Sequence, residues 1–176
     1  TPFVLDVLNK EKVVATFFCV GENLKKNPEL FQRIIREGHL VCNHSQQHKN
    51  GIKTSKKAYV EDVKKADPYF ENSFFRPPYG RLTLPQYYAL RKTHKVVMWT
   101  WLSYDYDNKV SVRKIIDQAD KIKSGDILVL HDNGKIADKQ KELLPQLLRK
   151  LKEKKFDFRL ISDACITEQS NKVHRT

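Results

Sequence analysis

Two histidines four residues apart, in Asn43-His44-Ser45-Gln46-Gln47-His48, are the residues of this 176-residue chain whose types and spacing point most directly to chemistry. Neutral imidazole is the commonest protein metal ligand. Side chains at i and i+4 share one face of a helical turn, so both rings reach one ion if the chain turns helical after the apolar run Leu40-Val41-Cys42. A pair at this spacing also arises by accident and gains meaning only from partners. Three are candidates: Arg76 ahead of Pro77-Pro78-Tyr79-Gly80, Asp105 between Tyr104 and Tyr106, and His131 after Ile127-Leu128-Val129-Leu130. Singly, His131 reads as a capping or core-edge residue, Arg76 as a surface cation and the double proline as a rigid turn. Cys42 and His44 alternate onto one face of a strand, which raises a Cys-His-His cluster, but Cys42 inside Leu-Val-Cys reads more simply as a small buried hydrophobe. Ser45 has no adjacent base that would make it a nucleophile.

The elements that must position these residues follow from periodicity. Thr1-Pro2 opens a helix through Phe3, Val4, Leu5, Val7 and Leu8. Val13 to Val20 is nearly all apolar, the pattern of a strand covered on both faces, and Gly21 is expected to end it. Asn27-Pro28-Glu29 starts a helix that Gly38 stops, and Leu40 to Cys42 is a short strand. Thr54 to about Phe70 is helical until Pro68 interrupts it. Phe74-Phe75 is a strand running into the proline turn. A helix near Leu84 to Lys92 precedes a buried strand from Lys95 to Leu102. Ser111 begins a helix closed by Ser124-Gly125, Asp126 to His131 is a strand, and a helix with Leu143, Leu144, Leu147, Leu148 and Leu151 leads to a last strand near Phe156 to Ile161.

Strands alternating with helices predict parallel strands joined by right-handed crossovers. In a parallel barrel each helix follows a strand, so the opening helix implies a strand missing at the N-terminus. His44, Arg76, Tyr104/Asp105 and His131 all fall just after a strand's apolar run, the end at which parallel barrels carry their active sites.

Composition sets wider bounds. A 176-residue chain that is 40% hydrophobic fits one domain with a single core. Thirty-three Lys and Arg against 21 Asp and Glu leave a net charge of +12, which attracts nucleic acid, anionic head groups and anionic glycans alike. The lysines are spread through nearly every segment, clustering at Lys53/Lys56/Lys57 and Lys150/Lys152/Lys154/Lys155. No basic run is interleaved with aromatics as a nucleic-acid platform would be. They read as solvated helix faces, and nucleic acid is not an expected partner; such binding would show a steep salt dependence. No apolar stretch approaches the roughly 20 residues of a membrane span. Cys19, Cys42 and Cys165 are odd in number and form no C-x-x-C, so a disulfide framework is not expected. His39, His94 and His174 belong to no motif and are expected to be solvated. Nothing in the sequence sets the oligomeric state.

Ala15-Thr16-Phe17-Phe18 followed by Gly21-Glu22-Asn23, then Asn43 to His48, Arg76-Pro77-Pro78-Tyr79-Gly80, Tyr104-Asp105-Tyr106 and Leu130-His131-Asp132 resemble successive motifs of the polysaccharide deacetylases, carbohydrate esterase family 4. The resemblance covers essentially the whole chain. It implies an α/β fold, a distorted or incomplete (β/α) barrel of parallel strands, and metal-dependent removal of acetyl groups from N-acetylated, sometimes O-acetylated, sugars of a polysaccharide or oligosaccharide. It assigns His44 and His48 to a divalent metal, usually zinc, with an aspartate as third ligand and water as nucleophile. His131 becomes the general acid that protonates the departing amine, Asp105 its orienting partner, and Arg76 the holder of the catalytic base. The Tyr79 amide helps bind the oxyanion, and Tyr106 and Val129 stand in the acetyl pocket where the family usually has Trp and Leu. Family members commonly act outside the cytoplasm or at the cell envelope.

The family's first motif, Thr-Phe-Asp-Asp-Gly-Pro, is not in these 176 residues. It supplies the catalytic base and the carboxylate ligand, and Asp6, inside the opening helix, cannot replace them. The expectation is a deacetylase domain truncated before that motif, with weak metal binding and little or no activity as it stands. The alternative is a non-catalytic carbohydrate-binding module of the same fold.

Overall fold

The computed structural model describes residues 1–163; Cys165 and His174 lie outside them. In chain order the described residues form α1 (Pro2–Lys10), β1 (Thr16–Cys19), α2 (Gly21–Lys26), α3 (Pro28–Arg36), β2 (Leu40–Asn43), α4 (Lys56–Ala66), β3 (Phe74–Phe75), α5 (Leu84–Leu90), β4 (Lys95–Val96), β5 (Trp101–Leu102), α6 (Val112–Gln118), β6 (Leu128–Val129) and α7 (Ala137–Glu153), with short 3-10 turns between. Every strand pairing is parallel, which agrees with the α/β class expected for an incomplete (β/α) barrel.

The chain falls into two compact units, one made of residues 16–98 and the other of residues 1–15 with the chain from Trp99 onward. The first holds a four-stranded sheet in the order β1-β2-β3-β4, in register with Phe18 opposite Cys42, Asn43 opposite Phe75 and Phe75 opposite Val96. Two of its helices start at side-chain caps: the Ser55 hydroxyl accepts from the Ala58 amide at α4, and Thr83 with Gln86 forms a capping box at α5. Gly38, at φ +81°, lets the chain leave α3 and turn back into β2. Tyr59 and Val63 of α4, Phe75 of β3 and Leu90 of α5 form the core beside this sheet.

In the other unit β5 pairs with β6, Trp101 opposite Leu128 and Leu102 opposite Val129. The apolar face of α7, through Leu143, Leu147 and Leu151, packs with Val112 and Ile115 of α6 and with Ala119 and Ile122 just after it, all recurring at helical spacing.

Three expectations are corrected. Gly21 begins helix α2 rather than only ending a strand. The run from Lys95 to Leu102 is two strands: the Val97 amide still donates to Phe75, whereas the Thr100 and Trp101 amides donate to Ile127. Side-chain hydropathy is continuous through that change of partner and cannot signal it. Phe156 to Ile161 is not a strand, because these residues join no ladder among the described strands.

Candidate active site

The histidine pair lies in a loop, not a helix. Residues 44–50 have no helical assignment, and Ser45 and His48 are left-handed at φ +64° and +57°, which interrupts any helical turn. The two rings are nevertheless 4.9 Å apart between centroids and inclined at 68°. Local hydrogen bonds replace the helical ones: the Asn43 Oδ1 accepts from the Ser45 amide at 2.7 Å, and the Ser45 hydroxyl accepts from the His48 amide at 3.0 Å, as Asn and Ser side chains do in turns. Ser45 is fully buried in this role.

Neighbouring elements fasten the same loop. The Ser45 and Gln46 carbonyls accept from the Gly21 and Glu22 amides at the start of α2. On the other side Asp62 of α4 accepts from the Gln46 amide through its carbonyl and from the Gln47 amide through its carboxylate at 3.2 Å. His44 Nδ1 lies 2.6 Å from the Arg76 carbonyl oxygen. That oxygen can only accept, so Nδ1 carries a proton, and in the neutral ring Nε2 is then the atom that can ligate.

Arg76 is a buried cation, not a surface one. Its guanidinium donates to the Val97 carbonyl at 3.3 Å and to that of Met98 at 3.0 Å, and it lies 4.0 Å over the Phe18 ring. Burial pulls its pKa down to about 10, which leaves it charged at neutral pH. Its described partners are carbonyls and a ring face, with no carboxylate among them. Such a charge is costly to bury without a counterion. Tyr79 is left-handed at φ +59° in the turn after Pro77 and exposed, with its ring 4.7 Å edge-on from that of His48.

In the other unit Asp105, fully buried, holds His131 at two points. Its Oδ1 accepts from His131 Nδ1 at 2.7 Å, and its Oδ2 accepts from the His131 backbone amide, also at 2.7 Å. This grip fixes the tautomer and the orientation of an imidazole whose side chain is 38% exposed. The Tyr106 ring stands edge-on to His131 at 4.9 Å, and burial is the main cause raising its hydroxyl pKa. Val129, in β6, is buried.

Gln140 was not legible as a site residue. From α7 it donates to Asp105 Oδ2 at 2.5 Å and to the His131 carbonyl at 2.8 Å, so one amide ties the carboxylate to the backbone of its imidazole partner. A signal existed: Gln140 heads the buried stripe continued by Leu143, Leu147 and Leu151, where a polar side chain demands a partner. Asp62 and Phe18 gave no comparable signal, because their roles depend on which strands and helices become neighbours.

His39 and His94 are buried, not solvated. His39 packs against Phe17, and desolvation lowers its pKa. Cys42 is fully buried, and desolvation pushes its thiol pKa up to about 12. That favours the neutral thiol over the ligating thiolate and leaves Cys42 as core. The remaining donor set, two imidazoles with one tautomer set by a backbone carbonyl, suits zinc or a similar ion. No third His, Cys, Asp or Glu completes a metal-holding group among the described residues.

Residues 1–97 match the family model described as polysaccharide deacetylase. A peptidoglycan-N-acetylglucosamine deacetylase of Bacillus cereus is 31% identical over 172 residues, covering 93% of this chain and 80% of that protein. The peptidoglycan-N-acetylmuramic acid deacetylase PdaA of Bacillus subtilis is 29% identical, covering 93% of this chain and 65% of its own length. Among solved structures, the Bc1960 peptidoglycan N-acetylglucosamine deacetylase in complex with 4-naphthalen-1-yl-N-oxidanyl-benzamide superposes with a TM-score of 0.83 at 28% identity, covering 91% of this chain and 78% of that one.

Proposed function

This chain belongs to the polysaccharide deacetylase family, and we propose that it supplies most of the machinery for removing acetyl groups from the N-acetylated sugars of peptidoglycan or a related polysaccharide. The relatives named above carry that activity in their names, and the observation that carries the reading in this chain is the His131–Asp105 pair. With Nδ1–H engaged at 2.7 Å by a buried carboxylate, proton exchange falls to Nε2. A histidine held this way serves as a general acid, giving its proton to the departing sugar amine. Asp105 orients the ring through its hydrogen bond to Nδ1, and Gln140 keeps the carboxylate aimed.

His44 and His48 are the proposed metal donors. When bound, zinc or a similar divalent ion polarises the acetyl carbonyl and acidifies water. Arg76, buried and charged, is suited to hold a carboxylate that acts as base. The Tyr79 amide is the proposed donor toward the developing oxyanion, and Tyr106 and Val129 the apolar neighbours of the acetyl methyl.

These residues lack an Asp-Asp pair, so the 176 residues alone are expected to bind zinc weakly and to release little or no acetate. Acetate release from an N-acetylated chitooligosaccharide, with zinc present, tests this. The expected result is background, and zinc-dependent turnover by these residues alone would contradict it.

A further inference from the structure

Asn43, Ser45 and His48 continue into a hydrogen-bonded line that ends at a histidine far along the chain. The Asn43 Nδ2 donates to the Asp67 Oδ1 at 2.9 Å and to the Val63 carbonyl at 3.0 Å, while its Oδ1 takes the Ser45 amide. His94 Nε2 meets the same Asp67 Oδ1 at 2.8 Å, and its Nδ1 meets the Thr93 hydroxyl at 2.9 Å. Asn43 and His94 are both buried, and the His94 ring stands edge-on to Phe75 at 5.9 Å. One carboxylate oxygen therefore fixes the Asn43 side chain from one side and His94 from the other. The fixed Asn43 sets Ser45, and Ser45 sets the backbone of His48.

We propose that Asp67 and His94 are positioning residues for the histidine loop, holding Ser45 and His48 in their left-handed conformations so that the two imidazoles stay together. Left-handed backbone at a non-glycine residue is strained and persists only where the surroundings over-determine it. Asn43 is suited to this relay and Asp is not, because the side chain must donate to Asp67 and the Val63 carbonyl and accept from Ser45 at the same time. The inference rests on the reading of His44 and His48 as metal donors only in what the positioning is for.

The test compares Asp67→Ala and His94→Leu with the conservative Asp67→Asn and His94→Gln, which keep an acceptor and a donor in place. Amide hydrogen exchange of the 176-residue chain without metal is the first readout, and zinc affinity by titration calorimetry is the second. In the disruptive pair, exchange at Ser45 and His48 is expected to quicken about fivefold or more, as loss of a part-buried hydrogen bond implies, with the β1 and β2 amides unchanged. Zinc affinity is expected to fall about tenfold, as loss of a partner outside the ligand set does. The conservative pair is expected to stay near wild type in both. Unaltered exchange at Ser45 and His48 in folded disruptive variants would overturn the proposal, as would a uniform rise across all amides of residues 16–98, which marks a merely structural role. A wild-type chain that binds no zinc would refute the metal reading, and the exchange readout would still decide the positioning claim.

Discussion

At the scale of single residues the site depends on buried polar groups whose partners are fully specified. Asp105 takes three donors, from His131 Nδ1, the His131 amide and Gln140. Asp105→Ala removes the acceptor of both His131 N–H groups, leaves Gln140 only the His131 carbonyl, and is expected to cost about 3 kcal/mol, measurable as a lowered midpoint in urea. Buried titrating groups set the pH dependence. Cys42 is held near 12 against its ordinary 9.0, and Tyr59 is likewise raised by burial. Above pH 9 the unfolded chain gives up the Cys42 proton while the folded chain keeps it, so stability falls as pH rises, by about 1 kcal/mol between pH 8 and 10. His39 has the opposite sign. Its folded pKa lies below the ordinary 6.5, so the stability it contributes is present above that pH and is lost as pH falls. Urea midpoints measured from pH 5 to 10 should show a maximum between these limits, and a profile flat to pH 10 would count against the burial of Cys42. Motif spacing made His44, His48, Arg76, Asp105 and His131 legible. Gln140, Asp62 and the Asp67–His94 pair were not, because each acts through hydrogen bonds between elements that the sequence does not pair.

At the scale of elements, close approach and helix chemistry make two predictions. A Cβ added at Gly51 would run into the Arg81 carbonyl oxygen and come within 2.8 Å of the Leu82 Cα. Both are backbone, so Gly51→Ala is expected to destabilise by about 1–3 kcal/mol and to disturb the Gln86 amide, which donates to the Gly51 and Thr54 carbonyls. Pro145 lies inside α7, where it lacks the N–H that would close a helical bond. Pro145→Ala is expected to raise the thermal midpoint, since proline in a helix interior costs about 3 kcal/mol; an unchanged midpoint would mean the helix has already relaxed around it. Hydropathy and caps made every helix but α2 legible. The loop of His44 to His48 was misread because i,i+4 spacing describes a helix, whereas Asn43 and Ser45 offered the backbone other acceptors. The Lys95 to Leu102 run was misread because strand partners can change inside one apolar run.

At the scale of the whole molecule, the alternation of strands and helices made parallel pairing legible, and each described strand pair is parallel; the matched family model and relatives agree with the family resemblance. The +12 charge was less informative, since it favours any anionic polymer. Among the described residues no helix is long and apolar enough to cross a membrane. The proposal that His44 and His48 are metal donors and His131 a proton donor carries the function. It is tested most directly by measuring acetate release from an N-acetylated chitooligosaccharide by a polypeptide in which a strand ending in Thr-Phe-Asp-Asp-Gly-Pro precedes Thr1. Turnover that a chelator abolishes and zinc restores is expected, reduced about 10²–10⁴-fold by His131→Ala, the usual range for a general acid. Acetate release indifferent to chelation and to His131→Ala would contradict it, as would sugar binding with no release at all.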